Sequence, residues 1–117
     1  MKIFITGISG FIGYHLARKL FSQGHHVLGI DSYNSYYDVA LKRARSGKLD
    51  ELGIENSYGD LSVLAFKPHW FNKLEDVDVV IHLAAYAGVR YSLDHPKLYM
   101  DNNIIATQNL ISACEEH

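Results

Sequence analysis

Apolar and polar positions along the chain switch repeatedly between a period of two and a period near 3.6. Lys2–Thr6 is a short β-branched and aromatic run and predicts a strand. Residues 11–23 carry Ile12, Leu16, Leu20 and Phe21 at helical spacing, and Gly24 is a fitting stop. His26–Asp31 (HVLGID) predicts a second strand, and residues 36–52 a helix with Val39, Ala40, Leu41 and Ala44, weakened by Gly47. A poorer third strand falls within 54–61, and a helix over 62–74 is interrupted in expectation by Pro68. Residues 76–85 (DVDVVIHLAA) hold the best strand, centred on 77–83, whose unbroken apolar run suits a sheet buried on both faces. A loop to Pro96 and a helix over 97–116 follow, with Met100, Ile104, Ile111 and Cys114 on one stripe.

Repeated strand–helix units predict an α/β fold, a doubly wound parallel sheet with helices on both faces. Right-handed crossovers give the strand order 3-2-1-4. The first and fourth strands are then central, and the crevice at their carboxyl ends is the switch point where such sheets bind ligands.

Glycine spacing sharpens this picture. Residues 6–13 read TGISGFIG, so Gly7, Gly10 and Gly13 form G-x-x-G-x-x-G between a strand and a helix. In a phosphate-binding loop the first glycine allows the tight turn, the second admits a phosphate, and the third lets the helix pack on the strand. The competing explanation is a glycine-rich turn without a ligand. Asp31 weighs against it, because it closes the second strand 18 positions after Gly13, where a carboxylate accepts hydrogen bonds from a ribose diol. A 2′-phosphate about 4 Å from that carboxylate, at an effective dielectric of about 20, is repelled by about 4 kcal/mol per unit charge. Ser32 and Tyr33 follow with no arginine to offset it, so the expected cofactor is NAD.

Bulk properties narrow the classes. The chain has 117 residues, room for one small domain. Its formal charge of −2 leaves no basic footprint for nucleic acid. Its apolar amino-terminal run is too short for a signal or a membrane span, and one cysteine, Cys114, fits a reducing compartment. The expected location is cytoplasmic, with no membrane partner. His25, His26, His69, His82 and His95 show no metal-ligand spacing, and His82 is expected to pack at a strand end. Cys114 reads as helix packing, Trp70 and Phe71 as core cover, and Lys42, Arg43 and Arg45 as a solvated helix face. The tyrosine-rich stretch 33–37 could border a ligand or simply form a loop.

Taken together, these motifs resemble the extended short-chain dehydrogenase/reductases, the NAD-dependent nucleotide-sugar epimerases and dehydratases. TGISGFIG resembles that family's TGxxGxxG loop, GDL at 59–61 its adenine-contacting turn, and HLAA at 82–85 the end of its fourth strand. NNIIAT at 102–107 resembles its N-x-x-G-T helix segment. The stretches DSYNSYYDVALKRAR (31–45) and AYAGVRYSLDHP (85–96) look like the UDP-glucuronate 4-epimerase group, often found with surface-polysaccharide synthesis.

The resemblance implies a partial Rossmann sheet, truncated before its remaining strands, with residues 1–117 as the amino-terminal part and the substrate domain absent. It implies that Gly7, Gly10, Phe11, Ile12 and Gly13 cradle the pyrophosphate, and that Asp31 takes the adenosine ribose with Ser32 beside it. Asp60 and Leu61 would meet adenine, Leu83, Ala84, Ala85 and Ala87 would line the cofactor groove, and Asn103 takes the family's asparagine position. Arg90 and Ser92 would face a UDP-sugar. Ser32 replaces a frequent asparagine, which puts one ribose contact in doubt, and Ala106 replaces a glycine, which tightens helix packing.

The family's chemistry uses a Tyr-x-x-x-Lys pair. The positions four after Tyr14, Tyr33, Tyr36, Tyr37, Tyr58, Tyr86, Tyr91 and Tyr99 hold no lysine, so no catalytic residue is assigned. The expectation is the NAD-binding portion of a UDP-glucuronate 4-epimerase, inactive by itself, that forms a homo-oligomer or self-associates through an exposed sheet edge. The alternatives are a 4,6-dehydratase or UDP-glucuronate decarboxylase, or a non-catalytic NAD-binding module.

Overall fold

In the computed structural model, which describes residues 1–34, 38–63 and 68–117, alternation along the strands sorts side chains to two faces of one sheet. Four parallel strands, β1 (Lys2–Thr6), β2 (His26–Asp31), β3 (Glu55–Tyr58) and β4 (Val79–His82), lie in the order β3-β2-β1-β4. β1 is flanked on both sides, with Ile3 opposite Val27 and Val79, and Thr6 opposite Ile30 and His82. Its central place is why its apolar run is unbroken: both pleats are covered.

On one face Ile3, Ile5 and Val27 pack with Tyr14 and Ala17 of α1 (Phe11–Ser22) and Leu49 of α2 (Val39–Leu52). On the other, Phe4, Leu28 and Ile30 pack with Leu61, Trp70, Leu74 and the Ala106, Leu110 and Ala113 stripe of a carboxyl-terminal helix. The helix ends follow known chemistry. Asp38 caps α2 through Ala40 N at 2.9 Å, and Gly53 closes it in the left-handed region at φ 83°.

The predicted sheet order and the strand–helix alternation match the structure. Several bounds do not. The start of the helix expected from residue 36 lies partly outside the described residues, and α2 is seen from Val39. No helix runs through the described part of 62–74. Pro68 supplies a carbonyl to Phe71 N at 2.8 Å and a 3₁₀ turn forms only at Phe71–Leu74, because proline cannot donate within a helix. β4 is shorter than 77–83: Asp76 sits at φ 61° and Val77 N turns back to Leu74 O, which delays its start.

The loop expected up to Pro96 contains a short helix, α3 (Arg90–Asp94). Beyond it α4 (Pro96–Tyr99), a π-helical turn (Met100–Ile105) and α5 (Ala106–Glu116) follow in succession. The expected stripe is not the buried one. Met100, Ile104, Ile111 and Cys114 are exposed, whereas Ala106, Leu110 and Ala113 face the sheet. The two alanines let the helix approach Phe4 and Trp70 closely, and the larger side chains are left outside. Trp70 is deeper than a cover residue, at 1% exposure. Among the described residues no strand pairs with the outer edge of β4, and no helix is long and apolar enough to cross a membrane.

Candidate nucleotide-binding cleft

The carboxyl ends of β1, β2 and β4 open into a cleft of about 620 Å³, within the range of small-molecule sites. Its floor is the turn that leaves β1. Gly7 holds φ +71°, and its N–H donates to Ile30 O at 2.8 Å. A Cβ on Gly13 would stand 2.1 Å from Gly7 O, so the start of α1 sits closer to the loop than any side chain permits. Gly10 is the N-cap of α1 and bonds to Gly7 O at 3.0 Å. The first amides of α1 have no acceptor within the helix, and Phe11, Ile12 and Gly13 line the cleft with them. Backbone donors so arranged at a helix start suit an anion.

Asp31 lies at the second wall, at 3% exposure. Its Oδ2 accepts from Ser9 N at 3.2 Å, and its Oδ1 from Tyr33 N at 3.0 Å and Lys42 Nζ at 2.8 Å. Lys42 is therefore not part of a solvated face. It is buried, at 8% exposure, and both it and Arg45 line the cleft, while Arg43 is exposed as expected. The helical period explains this: Asp38, Lys42 and Arg45 fall at i, i+4 and i+7, on one side of α2. Arg45 reaches across to Ser9 O at 3.4 Å, with its guanidinium 6.0 Å from the Phe11 ring centre.

Asp60 and Leu61 line a third wall. Asp60 Oδ1 accepts from Ser62 N at 2.9 Å and Ser62 Oγ at 2.6 Å, and Asn109 Nδ2 donates to Leu61 O at 2.7 Å.

The fourth wall is 83–87. Thr6 Oγ1 accepts from Leu83 N at 3.0 Å and Ala84 N at 3.1 Å and lies 2.7 Å from His82 Nδ1. His82 Nε2 is 2.9 Å from Thr107 Oγ1, which donates to Asn103 O at 2.8 Å. Burial lowers the His82 pKa. Asn103 grips Tyr86 from both sides, accepting from its N–H at 2.7 Å and donating to its carbonyl at 2.9 Å. The Tyr86 phenol is pushed up, first by burial and then by Tyr91 and Asp60.

A family described as GDP-mannose 4,6 dehydratase matches residues 4–117. The chain belongs to this family. It is 45% identical over its whole length to Protein CapI of Staphylococcus aureus, covering 34% of that protein. It is 40% identical over 95% of its length to a probable UDP-glucuronate 4-epimerase of Rhizobium meliloti, covering 33% of it. The chain thus spans about a third of the curated relatives it matches. Among solved structures it resembles a mutant UDP-glucuronic acid 4-epimerase of Bacillus cereus in complex with a fluorinated UDP-glucuronic acid and NAD. The TM-score is 0.87 at 36% identity, covering 98% of this chain and 36% of that one.

Of the residues expected at the cofactor, Gly7, Gly10, Phe11, Ile12, Gly13, Asp31, Ser32, Asp60, Leu61, Leu83, Ala84, Ala85 and Ala87 all line the one cleft. Asn103 does not; it stands behind Tyr86, and its neighbour Asn102 lines the wall instead. Arg90 is exposed on α3, and the Ser92 hydroxyl donates to Val89 O, both outside the cleft lining. Tyr33 lies 3.3 Å from Ser9 Oγ through its hydroxyl; positions 35–37 of the tyrosine-rich stretch lie outside the described residues. Sequence reading missed Lys42, Arg45 and Tyr86. Helical spacing from Asp38 could have found the first two. Among the described residues no three His, Cys, Asp or Glu side chains form a metal site. Cys114 is exposed, with its thiol pKa raised by partial desolvation.

Proposed function

We propose that residues 1–117 are the NAD-binding amino-terminal part of a nucleotide-sugar 4-epimerase that interconverts UDP-glucuronate and UDP-galacturonate, with the substrate domain outside these residues. The observation that carries this reading is the convergence of the glycine cradle, Asp31 and the 83–87 wall on one cleft. The names of the relatives support the substrate. The cradle suits a pyrophosphate, since Gly10 at the N-cap of α1 carries no side chain over the unpaired amides of the first turn, and a Cβ there would stand 3.2 Å from Gly7 O.

In this reading the amides at the start of α1 hold the pyrophosphate, and Asp31 accepts the adenosine ribose hydroxyls. Asp60 and Leu61 meet adenine. Leu83, Ala84, Ala85 and Ala87 give a small, apolar wall against which a flat ring can lie, and Asn103 fixes that wall through Tyr86. When bound, NAD supplies the hydride acceptor and donor for a transient oxidation at C4 of the sugar. Arg90 and Ser92 would meet the UDP-sugar, an arginine fork being suited to phosphate or carboxylate. The acid/base pair Tyr-x-x-x-Lys is not among these residues. The 117-residue chain therefore binds NAD and does not turn over UDP-glucuronate.

Calorimetric titration with NAD, beside a chromatographic assay for UDP-galacturonate, tests both halves. Turnover by the chain would refute the assignment of catalysis to residues outside it, and lack of NAD binding would refute the cofactor site. The implied compartment is the cytoplasm, and the implied context is surface-polysaccharide synthesis. The outer edge of β4, unpaired among the described residues, is proposed to pair with a second copy of the chain.

A further inference from the structure

Residues 86 and 87, at the end of the fourth wall, are held by side chains from one stretch of helix. Asn103 takes both the N–H and the carbonyl of Tyr86, at 2.7 and 2.9 Å. Tyr99, one helical turn earlier, donates its hydroxyl to the carbonyl of Ala87 at 2.7 Å. Both held residues line the cleft. The Tyr99 ring also meets the Tyr86 ring in a T-shaped pair, with centres 5.7 Å apart and planes at 85°. Tyr91 of α3 lies 6.3 Å from Tyr99 and 4.3 Å from His95, so the pair is backed by two further rings. A perpendicular pair sets the plane of a ring without stacking on it face to face. The backbone and the ring plane of Tyr86 are therefore both fixed.

The groups that act on the Tyr86 phenol give the ring its place. Besides burial they are Tyr91, from α3, and Asp60, from the third wall. The ring thus stands where the fourth wall approaches the third, beside the Asp60 and Leu61 end of the cleft. An aromatic side chain fixed before the ligand arrives loses little further freedom on binding, and a base gains from stacking on it.

We propose that Tyr86 is a further ligand-contacting residue of the cleft, its ring lying against the purine of the adenosine half, and that Tyr99 is the positioning residue that holds it there. The inference rests on the cofactor reading above. It adds a face contact to the base, which neither the glycine loop nor Asp31 supplies, since in that reading they meet the pyrophosphate and the ribose.

The test uses ADP-ribose, which carries the purine and lacks nicotinamide, with NAD beside it. Calorimetry follows Tyr86→Phe, Tyr86→Leu, Tyr99→Phe and Tyr99→Leu. Tyr86→Leu keeps apolar bulk without the ring and is expected to weaken both ligands by about tenfold. Tyr86→Phe keeps the ring and should stay within about threefold of native. Tyr99→Phe loses only the bond to Ala87, whereas Tyr99→Leu also loses the ring pair and should weaken ADP-ribose more. In the native chain, magnetic resonance of the bound state should show Overhauser contacts between the purine protons and the ring of Tyr86, which a packing role would not produce.

Native affinity in Tyr86→Leu, or absence of those contacts, overturns the proposal. A loss confined to NAD would place the ring at nicotinamide and overturns it as well. Equal losses in Tyr86→Phe and Tyr86→Leu would assign the effect to the hydroxyl and reject stacking, and native affinity in Tyr99→Leu would reject the positioning role. Should Tyr86→Leu fail to fold, the Overhauser contacts in the native chain and in Tyr86→Phe decide. Failure of the native chain to bind ADP-ribose would instead remove the cofactor reading on which the inference stands.

Discussion

The hydroxyl of Thr6 at the end of β1 stands 2.7 Å from Nδ1 of His82 at the end of β4. That hydroxyl already accepts two backbone N–H groups, from Leu83 and Ala84, so its proton is directed to His82. Nδ1 is then an acceptor, Nε2 carries the proton, and Thr107 receives it. The ring is held neutral and in one tautomer. This agrees with burial lowering its pKa below the usual 6.5.

Protonation of His82 should weaken the fold. The unfolded chain binds this proton more readily than the folded one, so stability is complete above about pH 6.5 and falls as pH drops through the lower folded value. In thermal unfolding between pH 8 and pH 5, the native chain is expected to lose more stability on acidification than His82→Gln. Parallel curves for the two would show that His82 is not the group responsible.

Thr6→Val keeps the shape and removes the hydroxyl. Leu83 N, Ala84 N and His82 Nδ1 lose their shared partner, an expected cost of about 2–4 kcal/mol in urea unfolding. Thr6→Ser retains the hydroxyl and should cost about 1 kcal/mol, the share of a buried methyl. Equal losses would mean that the hydroxyl contributes little.

Two glycines should respond in opposite directions to alanine. At Gly13 the new Cβ meets Gly7 O at 2.1 Å, so Gly13→Ala is expected to cost more than about 2 kcal/mol and to abolish NAD binding. At Gly47, inside α2, a Cβ meets nothing within 4 Å, so Gly47→Ala should add about 0.5–1 kcal/mol. Chemical denaturation of both variants checks the contrast.

Asn103→Ala releases both backbone bonds to Tyr86. The expected outcome is faster amide exchange at Tyr86 and a loss of about 1–3 kcal/mol, because a half-buried N–H and C=O are left without this partner. Unchanged exchange at Tyr86 would refute the clamp.

Ile111 is half exposed and lines a second groove with Val80, His82 and Leu110 beside the open edge of β4. If copies of the chain pair along that edge, Ile111→Lys should shift sedimentation toward monomer while leaving unfolding within about 0.5 kcal/mol of native. A native chain that is already monomeric at high concentration would exclude edge pairing.

Much of the architecture was legible because each strand run carries its own evidence. The burial of 2–6 and 26–31 shows in the residues themselves, and the glycine spacing marks the floor of the cleft. What was lost depended on partners distant in sequence. Lys42 reads as a surface cation on α2 because nothing nearby announces that Asp31 will come within 2.8 Å of it. The stripe that helical spacing picks out, with Met100, Ile104, Ile111 and Cys114, is not the inward one, because close packing on Phe4 selects Ala106 and Ala113. Pro68 marked an interruption but could not say that only a 3₁₀ turn would follow.

The π-helical turn at Met100–Ile105 has a consequence for how this region can change. A wider turn holds one residue more than an α turn, so it lets the two ends of a continuous helical rod be aimed separately. The front end presents Asn102 to the cleft and Asn103 to Tyr86, while the rear lays alanines on the sheet. The wider turn already absorbs the rotation of one residue, about 100°, so loss of one residue within it would restore α winding with the two ends still aimed as they are. A single deletion here is therefore tolerated more readily than an insertion, which would rotate one end and force a choice between the cleft wall and the core.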